Sequence, residues 1–214
     1  MTTLRITEIF YSLQGETSFT GLPTVFVRLT GCPLRCTYCD TEYSFHGGER
    51  LDLEEILAQV AGYSARHVTV TGGEPLAQPA CLELLTALCD AGYRVSLETS
   101  GALPIEHVDP RVVRILDLKT PASGEMGRNL YDNIQWLLPH DEVKFVICDR
   151  TDYEWSRLKI AELGLGNRVA EILFSPVHGS LAPTTLADWI LEDRLPVRMQ
   201  LQLHKLLWAD GPGR

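Results

Sequence analysis

The sequence predicts an α/β fold: a partial (open) parallel βα barrel of about six βα units. Three observations carry the prediction. Apolar strand-like runs alternate with segments of helical spacing along the chain, which implies parallel pairing through right-handed crossovers. The units number about six, too few to close an eight-fold barrel. The loops richest in Gly, Cys and polar residues all follow strand ends, where such folds build their sites.

The elements follow in order. Val25–Leu29 ("VFVRL") reads as the first core strand. "LEEILAQV", Leu53 to Val60, has helical spacing behind the N-cap Asp52. "HVTV" (His67–Val70) is a strand, and the helix over "ACLELLTALCDAG" stops at Gly92. Arg94–Glu98, Val112–Leu118, Glu142–Ile147 and Glu171–Ser175 repeat the strand signature. "NLYDNIQWLL", "TDYEWSRLKIAELG" and "TTLADWILEDRL" are the helical candidates among the later strands, and "MQLQL" is a last strand before a polar tail. The loops "TGCPLRCTYCDT", "TGGEP", "ETSG", "LKTP" and "SPVHG" therefore fall at one mouth of the barrel.

The 214 residues, 45% of them hydrophobic, suit a single domain, 1–214. A formal charge of −9 and the absence of a Lys/Arg run argue against nucleic-acid binding. No stretch approaches the roughly 18 apolar residues of a membrane span, and "MTTLRITEIF" lacks the features of a secretory signal. The expected address is cytoplasmic, where cysteines stay reduced.

Cys32, Cys36 and Cys39 share one short loop. Three soft thiolates there select an iron–sulfur cluster or zinc. A cubane cluster normally takes four cysteines, so three leave one iron open to a ligand. The alternative is structural zinc closed by His46. Cys81, Cys89 and Cys148 fall on helix or strand patterns and read as small buried residues.

The CxxxCxxC loop with Tyr38 before its last cysteine, followed by "GGEP" after the next strand, resembles the radical S-adenosylmethionine (SAM) superfamily. The resemblance implies a barrel of the radical SAM type. It also implies a 4Fe–4S cluster on the three cysteines, with SAM chelating the unique iron. Gly72 and Gly73 then let backbone approach SAM, and Glu74 either accepts from its ammonium or caps the following helix. Tyr38, Cys39, Asp40, Glu98, Ser100, Asp117, Leu118, Lys119, Ser175, Pro176, Val177 and His178 are the remaining SAM candidates, with turn chemistry as the competing role for several.

The segment "EIFYSLQGETSFTGLPTVFVRLTGCPLRCTYCDTEYSF", with "TGGEP", "ETSG" and the late "QLHK", resembles the 7-carboxy-7-deazaguanine synthase family. That implies rearrangement of 6-carboxy-5,6,7,8-tetrahydropterin with loss of ammonia in 7-deazapurine (queuosine-type) biosynthesis. Catalytic use of SAM, a Mg²⁺ requirement, a homodimer and a reductant such as flavodoxin come with it. Leu13, Gln14, Gly15, Glu16, Arg28, Thr71, Gln202, His204 and the terminal Arg214 are the implied substrate residues, and Thr41 the Mg²⁺ ligand, with Asp40 behind it. Glu16 suits a pterin N–H and amino group as a fork acceptor, and Arg28 offers a bidentate fork to the substrate carboxylate; a structural ion pair is the other role open to Arg28. Gln202 and His204 alternate with leucines and are expected on one face of the last strand. A glycyl-radical-enzyme activating protein and a non-catalytic metal-binding redox module are the competing functions.

Overall fold

The structure is a computed structural model that describes residues 2–209 and 213. Its frame is one sheet of nine strands: β1 (Thr3–Leu13), β2 (Pro23–Leu29), β3 (Glu49–Asp52), β4 (His67–Gly72), β5 (Arg94–Thr99), β6 (Val113–Asp117), β7 (Glu142–Ile147), β8 (Glu171–Pro176) and β9 (Arg198–Met199). The spatial order is β3-β1-β2-β4-β5-β6-β7-β8-β9. From β2 onward every pairing is parallel, whereas β1 runs antiparallel to both β2 and β3. The six predicted core strands are β2 and β4 to β8, each within two residues of its expected bounds. The open parallel barrel is the observed architecture.

Side-chain alternation splits the sheet into two faces. Val25, Val27, Val68, Val70, Val95, Leu97, Val143, Phe145 and Phe174 join one buried apolar cluster. Helices α1 (Leu53–Gly62), α2 (Cys81–Asp90), α3 (Arg150–Glu162) and α4 (Pro183–Glu192) cover it with Ile56, Leu84, Leu88, Tyr153, Leu186 and their neighbours. The other face carries Arg28, Thr71, Glu98, Asp117, Lys144 and Ser175 to a common cavity. Beneath them Phe19 packs with Val113, Ile115 and Leu173 as a separate apolar plug, and the Arg94 guanidinium lies 4.8 Å from the Phe19 ring centre.

Asp52 caps α1 as expected, through a capping box closed by Glu55. Four segments differ from expectation. β1 and β3 were not foreseen: a register shift between Ile6 and Glu8 breaks the period-two pattern of β1, and β3 is only four residues long. The segment 129–138 is not an α-helix; only a 3-10 stretch, Tyr131–Trp136, forms there. Asn133 explains this: its side chain bonds Gly101 O, Leu103 O and Ile105 N instead of facing away from a regular helix. The last strand is short, Arg198–Met199, and the chain then turns into helix α5 (Leu203–Trp208). Gln202 and His204 are thus a helix N-cap and a helical residue, not strand neighbours. The Leu203 N–H bonds Gly15 O at 3.0 Å, which draws the chain off the sheet.

Truncating the plug leaves a cavity that strand ends cannot collapse to fill. Phe19→Ala should lower unfolding stability by about 3 kcal/mol, read from urea denaturation.

Candidate active site

The loops after β2, β4, β5, β6 and β8 enclose a cavity of about 830 Å³ together with the N-terminal loop 14–22 and the start of α5. The three cysteines occupy one wall. Their loop is anchored on both sides: Gly31 donates to Ser44 O, and Gly31 O accepts from Glu74 N at 2.9 Å. Thr37 binds Ser123 O through its N–H and Ala122 O through its hydroxyl. Burial pushes the Cys36 thiol up to about 11, with the Asp117 carboxylate adding to the rise and Lys119 opposing it; burial raises Cys32 as well. A thiol held protonated this way becomes a ligand when a metal supplies the compensating charge. His46, the ligand a closed zinc site would need, is exposed and outside the lining. Among the described residues no three His, Cys, Asp or Glu side chains gather closely enough for a single ion.

The "TGGEP" loop lies directly against the cysteine loop. A Cβ at Gly73 would collide with Gly31 O and with Cys32 Cβ, and one at Gly72 with the Leu29 backbone. Both glycines face the cavity. Glu74 does not. It is fully buried, and its carboxylate accepts from Leu76 N, Thr99 Oγ1, and both the N–H and hydroxyl of Ser100. Of its two expected roles, capping the following turn is the one its geometry matches, and tying that turn to β5 is added. Leu118 is likewise buried in the apolar core and stands outside the lining. Arg214 lies outside the described residues. All the other predicted site residues line the cavity.

Charged groups form a chain along the same cavity. Lys144 Nζ lies 2.9 Å from Glu16 Oε2 and 3.5 Å from Asp117 Oδ2, which also meets Lys119 at 3.0 Å. Gln202 Nε2 donates to Glu16 Oε1 and to Asp40 Oδ2, both at 3.1 Å. Lys205 reaches Asp40 at 3.4 Å. Burial alone would push the Glu16 carboxyl up, but the charge and hydrogen bond of Lys144 outweigh it and hold Glu16 below its ordinary value. Glu98 goes the other way, raised by burial more than Lys144 lowers it. Gln14 lies between the two residues: its oxygen accepts from the Glu16 backbone N–H, and its amide donates to the Glu98 carboxylate. Burial lowers His204, whose ring packs against Gly15 so closely that no side chain fits there.

Lys144 was missed by the sequence reading. The available signal was a lone Lys between apolar residues in "EVKFVI", two residues from Val146 and so on the same strand face. Glu8 was missed with β1; its Oε1 accepts from Arg28 Nε at 2.7 Å.

The residues fit the cofactors that the resemblance implies. Three thiols and two glycines share a wall, and Asp117 Oδ1 is buried without a hydrogen-bond partner among the described residues. A buried acceptor of that kind suits a donor from a bound molecule.

Two expectations follow. Gly73→Ala should displace the cysteine loop and leave the purified protein with less than about half its iron and sulfide, measured by metal and sulfide analysis after anaerobic reconstitution. Lys144→Met should cost about 3 kcal/mol or more, since it strands buried carboxylates. A carboxyl held low contributes stability above its unfolded pKa and loses it as pH falls through its folded value. Removing Lys144 lifts Glu16, so the acid limb of the melting-temperature profile should move to higher pH.

The radical SAM superfamily profile matches residues 26–115. The 7-carboxy-7-deazaguanine synthase of Koribacter versatilis is 47% identical over 220 residues, spanning 96% of this chain and 97% of that one. That of Chlorobaculum tepidum is 49% identical over 208 residues, 96% of this chain and 94% of that one. The crystal structure of QueE from Escherichia coli superposes with a TM-score of 0.75 at 26% identity, covering 95% of this chain and 96% of that chain. On these matches the chain belongs to the radical SAM superfamily and, within it, to the 7-carboxy-7-deazaguanine synthases.

Proposed function

We propose that this chain converts 6-carboxy-5,6,7,8-tetrahydropterin to 7-carboxy-7-deazaguanine with release of ammonia, a carbon–nitrogen lyase step in 7-deazapurine biosynthesis. The observation that carries the reading is a single cavity lined both by the CxxxCxxC thiols and by Gln14, Glu16 and Arg28. When bound to Cys32, Cys36 and Cys39, a 4Fe–4S cluster with SAM supplies the radical that takes a hydrogen from the substrate, SAM being used catalytically.

The residues of the chain position the reactants. Gly72 and Gly73 leave the close backbone approach that SAM needs beside the cysteine loop. Ser100, Asp117, Lys119 and 175–178 offer polar groups at later strand ends. Glu16, ionised by Lys144, accepts from the N–H and amino edge of the pterin. Gln14, Thr71, Gln202 and His204, with Leu13 and Gly15, line the cavity and would surround the ring. Arg28 takes the substrate carboxylate. Thr41 would contribute a hydroxyl to Mg²⁺, a hard ion that takes oxygen ligands, and Asp40 would help orient it. Hydrogen abstraction of this kind depends on placement more than on proton transfer.

No helix among the described residues is long and apolar enough to cross a membrane. We place the enzyme in the cytoplasm as a single domain, 1–214, that works as a homodimer and draws its electron from a reductant such as flavodoxin.

The test is an anaerobic assay with reductant, SAM, Mg²⁺ and the carboxypterin. Arg28→Ala should raise KM roughly 10- to 100-fold, the scale of a lost hydrogen-bonded charge contact, and Thr41→Ala should weaken the dependence on Mg²⁺. Unchanged kinetics in both variants would remove the pterin assignment.

A further inference from the structure

Arg28 cannot aim itself. Its side chain has many rotamers, and a carboxylate is captured well only when the guanidinium edge is held in one direction. The antiparallel strand β1 supplies the restraint. Its register against β2 runs Ile6↔Leu29 and then Glu8↔Arg28, so Thr7 is an extra residue, a bulge of the kind that re-aims side chains. Without it Thr7 would face Arg28, and Glu8 would turn to the opposite side of the sheet. With it, Glu8 Oε1 accepts from Arg28 Nε at 2.7 Å and from the Tyr43 hydroxyl at 2.8 Å. The guanidinium carbon lies 5.7 Å from the Phe10 ring centre and 5.8 Å from that of Tyr43. Phe10 in turn stacks on Phe26 at 5.0 Å. Arg28 and these rings line the cavity, whereas Glu8 does not. Among the described residues Nε is the one Arg28 nitrogen in a hydrogen bond.

We propose that Glu8 is a positioning residue for substrate binding: it fixes Arg28 Nε so that the Nη1–Nη2 edge is left to take a carboxylate in the cavity. This rests on the assignment of Arg28 to the substrate carboxylate. Glu8 touches no substrate in this account and acts through Arg28 alone. Its negative charge weakens the pull of Arg28 on an anion, so what it contributes is direction. A neutral acceptor of the same length should therefore serve as well.

The experiment measures dissociation constants for 6-carboxytetrahydropterin and its uncharged carboxamide in the anaerobic holoenzyme with SAM. Wild type should prefer the carboxylate. Arg28→Ala should erase the preference; if it does not, the reading of Arg28 fails, and with it this proposal. If Arg28→Ala does erase it, Glu8→Ala should weaken carboxylate binding on the order of tenfold, the scale of a misaimed contact, and leave carboxamide binding unchanged. Glu8→Gln should restore the preference to within about threefold of wild type. A Glu8→Ala protein that keeps the full preference, or that loses both ligands equally, overturns the positioning role while leaving Arg28 in place. Should Glu8→Ala fail to retain its cluster, Glu8→Asp, which keeps the charge and shortens the reach, takes its place; an unchanged preference there also overturns the proposal.

Discussion

One buried carboxylate organises the catalytic mouth. Glu74 has no contact with solvent, and such a group is tolerable only when its lone pairs are met. Donors from three places meet them: Leu76 of its own loop, and Thr99 and Ser100 at the end of β5. Its backbone N–H meanwhile holds Gly31 O at the root of the cysteine loop. The loops after β2, β4 and β5 are thereby fixed to one another. The node sets Gly73 directly against Gly31 and Cys32, at the root of the loop that carries the three thiols.

The rest of the cavity follows from the two-residue period of the parallel strands. Each strand sends valines and leucines outward to the helices and one or two polar residues inward. The charged residues come from strands and loops far apart in sequence, yet Glu16, Lys144, Asp117 and Lys119 end as a continuous chain of opposite charges. That balance lets several ionised groups share a buried space. It also divides the carboxylates: Glu16, beside Lys144, is held low, and Glu98, farther along, is raised. One accepts from Lys144 and Gln202, while the other sits among the hydroxyl of Thr71 and the amide of Gln14.

Much of this was legible in the sequence, and the misses have specific causes. The six core strands and their loops stood out because strand and helix periods differ and because Gly and Cys mark the strand ends. Arg28, Glu16 and the cysteines were found through their motifs. β1 was hidden by its own bulge, and Glu8 with it. For Lys144 the lone charge in a short apolar run was the one available sign, and it does not tell which face the side chain takes; the pairing of β7 with β6 places it beside Asp117. Gln202 and His204 were identified correctly as cavity residues on a mistaken premise. They reach the cavity because Leu203 is tethered to Gly15 at the head of a helix, a tertiary contact that no alternation pattern encodes. Glu74 shows the converse: the motif named it, but its partners, not its type, decide what it does.

The central claim is that the protein supplies three thiolates to a 4Fe–4S cluster and leaves the fourth position to SAM. Electron paramagnetic resonance of the anaerobically reduced protein, recorded before and after addition of SAM, tests it most directly. The account predicts a 4Fe–4S signal that changes when SAM is added. A signal indifferent to SAM, or a protein that carries zinc and gives no signal, would contradict it.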